Sequence, residues 1–375
     1  GDFQRRQMAR QPVIMVRSHD GAIRVLMNRC RHRGTLVCEL GSGNAQQFRC
    51  WYHGWAYDTS GNLVTLPGAA AYGKDFRKED YGLTPAPRVD SYRGFVFASL
   101  SAEGETLREQ LGLAMPMIDI MIAASPVGQI VADAGAHKTT YRGNWKLVGM
   151  DGYHVHFTHA TVVEARRRAA GAPVEGAVSR DPWNDSAPSR TRDLGHGHAM
   201  LDLLDHRLQF LDEHLEEVKK TPGGADYIRA MIDAYGAERA HRIIASDGDP
   251  HLGVFPNMQL IGSHIRLINP IRTDENEIIM FPTRLKGVSD ELNQVRLRQH
   301  EWFYGPAGAG SPDDAEIFER VQNGLQAQVN PWIDISRGLE REQAQSDGSI
   351  VGLISDEVTQ RAQMRRWVEL MAGAA

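Results

Sequence analysis

An α+β chain in two parts is what this sequence predicts: an all-β segment first, then a larger domain in which helices flank an antiparallel sheet. Three observations carry the expectation. Short strand signals separated by turn residues crowd the first hundred positions. Helical periodicity begins near Leu107. Strand-like runs return between Met258 and Phe281, with helical stretches on either side. The expected boundaries are residues 1–105 and 106–375, joined by a linker turn from Ser101 to Glu105. A chain of 375 residues is long enough to bury two cores.

In the first domain, Val13 to Arg17 and Ala22 to Asn28 read as a hairpin around Asp20-Gly21. Phe48 to Cys50, Trp55 to Asp58 and Leu63 to Thr65 follow, with a turn at Ser60-Gly61-Asn62, and Gly94 to Leu100 closes the set. The start reads as the inside of a β-domain, so a native segment before residue 1 is expected. In the second domain, helices are expected at 107–122, 144–160, 199–220, 225–245, 289–303 and 313–345. Strands are expected at Lys138 to Tyr141, Met258 to Ile261, His264 to Pro270 and Glu277 to Phe281. Residues 170–198 are polar and rich in Gly and Pro, and read as a long loop, either mobile or a lid over a site.

The formal charge of −5 and the shortness of the arginine groups (Arg29, Arg31, Arg33; Arg166 to Arg168) argue against nucleic acid as a partner. No apolar run reaches membrane-spanning length. Three cysteines exclude a disulfide framework and fit a reducing cytoplasm. Cys38 reads as a small apolar filler.

The other two cysteines carry the chemistry. Cys30-Arg31-His32 and Cys50-Trp51-Tyr52-His53 each join one thiolate to one imidazole. A Rieske [2Fe–2S] cluster needs this division, with two Cys on one iron and two His on the other. A structural zinc ion also accepts two sulfurs and two nitrogens, but zinc motifs usually pair Cys with Cys and His with His. Gly34 and Gly54 let backbone amides approach the sulfurs, and Trp51, Tyr52 and Trp55 can shield them.

A second concentration lies in Asn144-Trp145-Lys146 and the following residues, where Asp151, His154, His156 and His159 fall close together. His154 and His159 are five apart, about 140° around a regular helix, so sharing one metal requires a local distortion. His156 and His159 are the competing pair, three apart on one face. A surface His-rich stretch is the plainer alternative. A 2-His-1-carboxylate iron site would need a carboxylate from elsewhere. Ser311-Pro312-Asp313-Asp314 offers one, although an N-cap, a Pro at N1 and two acids favouring the helix dipole explain the same residues.

The order Cys-x-His, Cys-x-x-His, Asn-Trp-Lys, Asp-x-x-His-x-x-x-x-His and a late Gly-Pro-x-Gly before Asp-Asp resembles the large (α) subunits of Rieske non-heme iron aromatic ring-hydroxylating oxygenases, of the naphthalene and benzoate dioxygenase type. The resemblance runs from residue 1 almost to the end. It implies a helix-grip catalytic domain, a Rieske cluster, a mononuclear Fe(II) held by His154, His159 and Asp314, and an Asp151 that links His154 to His53 of a neighbouring subunit. It implies O2 as cosubstrate, an aromatic substrate and cis-dihydroxylation or monooxygenation. Electrons would come from NADH through a separate reductase or ferredoxin, since no nucleotide-binding glycine motif is present. A homotrimer is implied, with or without a small β subunit. One departure stands out: Leu147-Val148-Gly149-Met150 is about one helical turn shorter than the family's usual spacing before the linking Asp.

Expected pocket walls are Val148, Met150, Val155, Phe157, Tyr304 and Phe318, with Ala309 and Gly310 near the carboxylate; core packing explains each equally well. Small residues at Ala309 and Gly310 suggest extra room or a mobile loop. His264 and Arg266 share one face of their strand, and would either meet a substrate carboxylate or face solvent, the plainer expectation.

Overall fold

The computed structural model describes residues 1–151, 165, 168–169, 184–246 and 251–373. The chain divides into two compact units, Gly1–Leu107 and Arg108–Ala375. No helix among the described residues is long and apolar enough to cross a membrane.

In the first unit, β1 (Asp2–Met8), β2 (Gln11–Arg17), β3 (Ile23–Met27) and β4 (Ser42–Asn44) pair antiparallel in the order β3-β2-β1-β4. Strands β5 (Gln47–Arg49), β6 (Ala56–Asp58) and β7 (Leu63–Thr65) form a second sheet, and β8 (Arg88–Tyr92) and β9 (Phe95–Ser99) a hairpin. The β2–β3 turn forms as Asp20-Gly21 predicts: Asp20 Oδ1 accepts from Ala22 N at 3.1 Å, and Gly21 takes φ +83°. Ile14, Val16 and Leu26 pack with Phe48, Trp55, Tyr57 and Leu63 in a core that also contains Cys30 and Cys50. Strand β1 is absent from the sequence expectation because only Phe3 is buried along it, so it carries no apolar alternation.

The second unit contains α1 (Leu107–Leu111), α2 (Met115–Ala123), β10 (Ile130–Val131), β11 (His137–Tyr141), α3 (Trp145–Asp151), β12 (Arg190–Asp193), β13 (Ala199–Asp202), α4 (Leu204–Leu208), α5 (Leu211–Lys220), α6 (Gly224–Tyr235) and α7 (Ala237–Ala245). It continues with β14 (Leu252–Val254), β15 (Met258–Ile261), β16 (His264–Arg272), β17 (Glu275–Pro282), β18 (Arg284–Leu285), α8 (Asp290–Tyr304), α9 (Ser311–Gly324), β19 (Gln343–Ala344), β20 (Ile350–Leu353) and α10 (Val358–Met371). Nine strands form one antiparallel sheet, β11-β17-β16-β15-β14-β13-β12-β20-β19. Asn276, Ile278 and Met280 of β17 alternate inward. Together with Ile268 of β16, Ile278 and Met280 meet Leu147 and Val148 of α3 and Phe318 of α9 in one core. The α2, α5, α6 and α7 helices bury a separate core around Met231 and Ile244.

Several sequence expectations are corrected. The helix expected at 107–122 breaks at Gly112, which takes φ +43°. Ala199–Asp202 is a strand, because three buried residues in a row pair on both sides within the sheet. Arg190–Asp193, expected in a loop, is its neighbour. The helix expected over 225–245 splits at Gly236, at φ +76°. The helix expected from 313 to 345 ends at Gly324, ahead of Pro331. Of the helix expected over 144–160, only Trp145–Asp151 lies within the described residues.

His198, in the β12–β13 turn, supplies a pH prediction. It is fully buried; Phe255 N donates to its Nδ1 at 3.0 Å, so its Nε2 carries the hydrogen and donates to Gln110 O at 2.7 Å. Burial holds its pKa down at about 4, opposed by the bond to Gln110 and helped by the nearby His196 and Arg366. The unfolded imidazole titrates near 6.5. The unfolded chain therefore binds the extra proton, and stability falls as pH drops from about 6.5 toward 4, by up to about 1.4 kcal/mol per pH unit. Thermal unfolding between pH 7 and 4.5 should show His198→Gln less stable at pH 7 but with a shallower acid slope.

Candidate metal centres

Two loops of the first unit are built alike. Cys30 O accepts from Gly34 N at 2.9 Å, and Cys50 O accepts from Gly54 N at 3.0 Å. Both glycines take positive φ, +80° and +74°, which turns each loop back on itself. Cys30 N donates to Thr35 O at 2.8 Å and Cys50 N to Trp55 O at 2.7 Å. Asn28, buried, ties the first loop down: its Nδ2 donates to Cys38 O at 2.7 Å, and its Oδ1 accepts from Val37 N and Cys38 N at 2.9 Å each. Nothing in the sequence marks Asn28, because its partners lie nine and ten residues away.

Cys30 and Cys50 are each 2% exposed. His32 and His53 sit with ring centroids 4.5 Å apart, and His32 stacks on Trp55 at 5.1 Å. Both imidazoles are half-buried, yet each Nδ1 is fully buried and has no hydrogen-bond partner. An orphaned buried nitrogen is costly, and two of them beside two buried thiols make a donor set for a metal cluster. Burial raises the Cys50 thiol, so a thiolate there needs a cation against it, and burial lowers His53 into the neutral form that can ligate. Among the described residues, no three His, Cys, Asp or Glu converge as one metal ion requires. A two-iron cluster takes sulfurs on one metal and nitrogens on the other, so it does not need that convergence. Tyr57, fully buried, contacts Cys30 Sγ at 3.3 Å through its hydroxyl and accepts from Arg31 N at 3.0 Å.

In the second unit, Asn144 anchors the start of α3. Its Oδ1 accepts from Lys146 N at 3.1 Å and Lys146 Nζ at 2.8 Å, its Nδ2 donates to Thr273 O at 2.8 Å, and its N donates to Gln322 Oε1 at 2.9 Å. The Asn-Trp-Lys motif thus pins α3 to the β16–β17 turn and to α9. Asp151 is the last described residue of α3. His154, Val155, Phe157 and His159 lie outside the described residues, as do the side chains of Met150 and Asp151.

Asp314 is half-buried in the first turn of α9 and lines a small cavity with Thr139, Arg266, Ile278, Met280, Ser311 and Phe318. Val148 is fully buried in the adjoining core, and Tyr304 lies against His264 and Arg266. Ala309 is buried too, but Ala309 and Gly310 open no room. A Cβ on Gly310 would lie 2.3 Å from the Phe303 ring, so that side chain fills the space. The plainer expectation for His264 and Arg266 is also overturned: they are 0% and 4% exposed and face inward. Alternation gave their common face correctly, but it could not tell which face of the sheet is covered.

A family model for the Rieske [2Fe-2S] domain matches residues 1–92. The large subunit of anthranilate 1,2-dioxygenase from Acinetobacter baylyi is 33% identical over 90% of this chain and 72% of its own length. The α subunit of toluate 1,2-dioxygenase from Pseudomonas putida is 31% identical over 90% of this chain and 73% of its own. Among solved structures, naphthalene 1,2-dioxygenase from Rhodococcus sp. superposes with a TM-score of 0.77 at 25% identity, covering 100% of this chain and 87% of that one. The antiparallel sheet flanked by helices and the N-terminal β unit are the fold that these proteins share. The chain therefore belongs to the large (α) subunits of the Rieske non-heme iron aromatic ring-hydroxylating oxygenases, enzymes that use a [2Fe–2S] cluster, a mononuclear iron and O2.

Proposed function

We propose that residues 1–105 form the Rieske domain, with Cys30 and Cys50 on one iron and His32 and His53, through Nδ1, on the other. Residues 106–375 form the catalytic domain, with His154, His159 and Asp314 as ligands of the mononuclear iron and Asp151 linking the two centres between subunits. The chain is then the terminal component that hydroxylates an aromatic substrate, by cis-dihydroxylation, with electrons from NADH delivered through a reductase or ferredoxin. It works in the cytoplasm as a homotrimer, with or without a small β subunit. The observation that carries the reading is the pair of orphaned Nδ1 atoms beside two buried thiols. The anthranilate and toluate enzymes, named for rings bearing a carboxylate, support an aromatic acid as the substrate.

When bound, the two metal centres supply single-electron transfer and O2 activation. The residues do the rest. Burial of Cys30 and Cys50 keeps water from the sulfurs, while the half-exposed imidazoles of His32 and His53 leave one edge of the centre reachable by a donor. Tyr57 donates to Cys30 Sγ and favours the more negative, reduced state. A hydrogen bond to a charged group is worth about 1.5 kcal/mol, so Tyr57→Phe should lower the reduction potential by on the order of 60 mV; a redox titration followed by visible circular dichroism measures it. In the second unit, the start of α9 places the positive end of its dipole beside Asp314.

Metal analysis with the absorption spectrum tests the whole reading. About three irons per chain and a Rieske spectrum are expected; about two would leave an electron carrier, and a colourless protein would overturn the cluster as well. Product analysis under labelled O2 separates dihydroxylation, with both atoms incorporated, from monooxygenation or demethylation.

A further inference from the structure

We infer that Arg266 receives the carboxylate of an aromatic-acid substrate; the inference rests on the oxygenase reading above and assigns the residue that selects the acid. Arg266 stands on β16, paired on both sides within the nine-stranded sheet, and is 4% exposed. Its Nη1 donates to Gln259 Oε1 at 3.1 Å, and Gln259 Nε2 donates to Val148 O of α3 at 3.0 Å. Its guanidinium carbon lies 5.8 Å from the centroid of the Tyr304 ring. Its Nε is buried without a hydrogen-bond partner.

A guanidinium cannot shed its proton. This one is therefore a full positive charge in the interior, held in place by a neutral amide and a ring. Among the described residues no carboxylate forms an ion pair with it. Such a charge is strongly unfavourable until an anion meets it. Arg266 lines the same small cavity as Asp314, Ser311, Met280 and Phe318, so the anion that completes it lies beside the proposed iron ligand.

The neighbours favour a carboxylate on a flat ring. His264 and His300 are buried with ring centroids 4.9 Å apart, and all four of their ring nitrogens lack hydrogen-bond partners. Burial, then Arg266, keep His264 neutral, so these rings add hydrogen-bonding capacity without a second charge. The guanidinium fork matches a planar carboxylate through two parallel bonds. Met280 and Phe318 line the same cavity with apolar side chains.

The test is equilibrium binding by calorimetry on the iron-loaded, intact protein. The probes are benzoate and anthranilate against benzamide and 2-aminobenzamide, with wild type, Arg266→Gln and Arg266→Lys. Wild type should bind an acid at least about 10-fold more tightly than its amide. Arg266→Gln should weaken the acid by about 30-fold or more while leaving the amide within twofold, and Arg266→Lys should recover part of the loss. Iron content and cluster spectrum report separately whether each variant folds and whether the oxygenase reading holds. With both intact, equal loss of acid and amide, no loss of acid in Arg266→Gln, or a wild type that binds neither acid overturns the inference and leaves the oxygenase reading standing. Wild-type protein without the mononuclear iron overturns both.

Discussion

Cys50→Ala will give a protein with about one iron per chain in place of about three, no Rieske absorption and no hydroxylation. The expectation follows from the depth of the site. Cys50 is 2% exposed, packed in the core of the first unit with Trp55 and Tyr57, and its backbone closes the second loop onto Trp55 and Gly54. Removing its sulfur leaves a two-iron cluster one thiolate short, with no other cysteine on that loop to replace it. The damage should reach stability too, because His32 and His53 then keep their buried Nδ1 atoms without a metal, at about 1–3 kcal/mol each. Cys38→Ala provides the contrast. Cys38 is also buried, but its Sγ only approaches Leu40 O, at 3.6 Å. That variant should keep all its iron and its spectrum and lose at most about 1 kcal/mol, as a small apolar side chain does. If the two cysteine variants lose iron alike, the ligand assignment fails. Metal analysis and the visible spectrum decide between these outcomes.

What the sequence revealed of this site depends on how its residues are constrained. Cys30, His32, Cys50 and His53, the proposed cluster ligands, stand out in the sequence because ligation would demand fixed residue types at a spacing set by the loops. Asn28 and Tyr57 do not, because each acts through hydrogen bonds that only the folded loops create. The same split runs through the fold. The β16–β17 pair was legible in its alternation, whereas β13, β14 and β20 are only three or four residues long, too short for a period to emerge. The first six residues of α10, Val358 to Gln363, are all buried although Thr359, Gln360, Arg361 and Gln363 are polar. Arg361 is held there by Glu342 at 2.7 Å and by the carbonyls of Ile335 and Arg337, partners that no helical pattern announces. Arg266 belongs with these cases: its face was readable, its cover was not.

Asp314→Ala is expected to separate the two metal centres cleanly: iron falls to about two per chain, the Rieske spectrum is unchanged, and hydroxylation is lost. The neighbouring acid makes the prediction sharp. Asp313 and Asp314 are adjacent in the first turn of α9, both half-buried, and both favour the helix dipole. On dipole grounds alone, replacing either should cost about 0.3–1 kcal/mol and nothing more. They differ in what they face. Asp314 lines the cavity with Arg266, Met280, Ser311 and Phe318, and Asp313 does not. A carboxylate serving only as a helix-end charge would make the two alanine variants equivalent. A carboxylate serving as an iron ligand makes Asp314→Ala lose the third iron and all turnover while Asp313→Ala keeps both. Asp314→Asn refines the comparison, since it preserves shape and removes the charge that balances the metal. Iron retained in Asp314→Ala, or lost equally from Asp313→Ala, would remove α9 from the catalytic centre and require a carboxylate from another part of the chain.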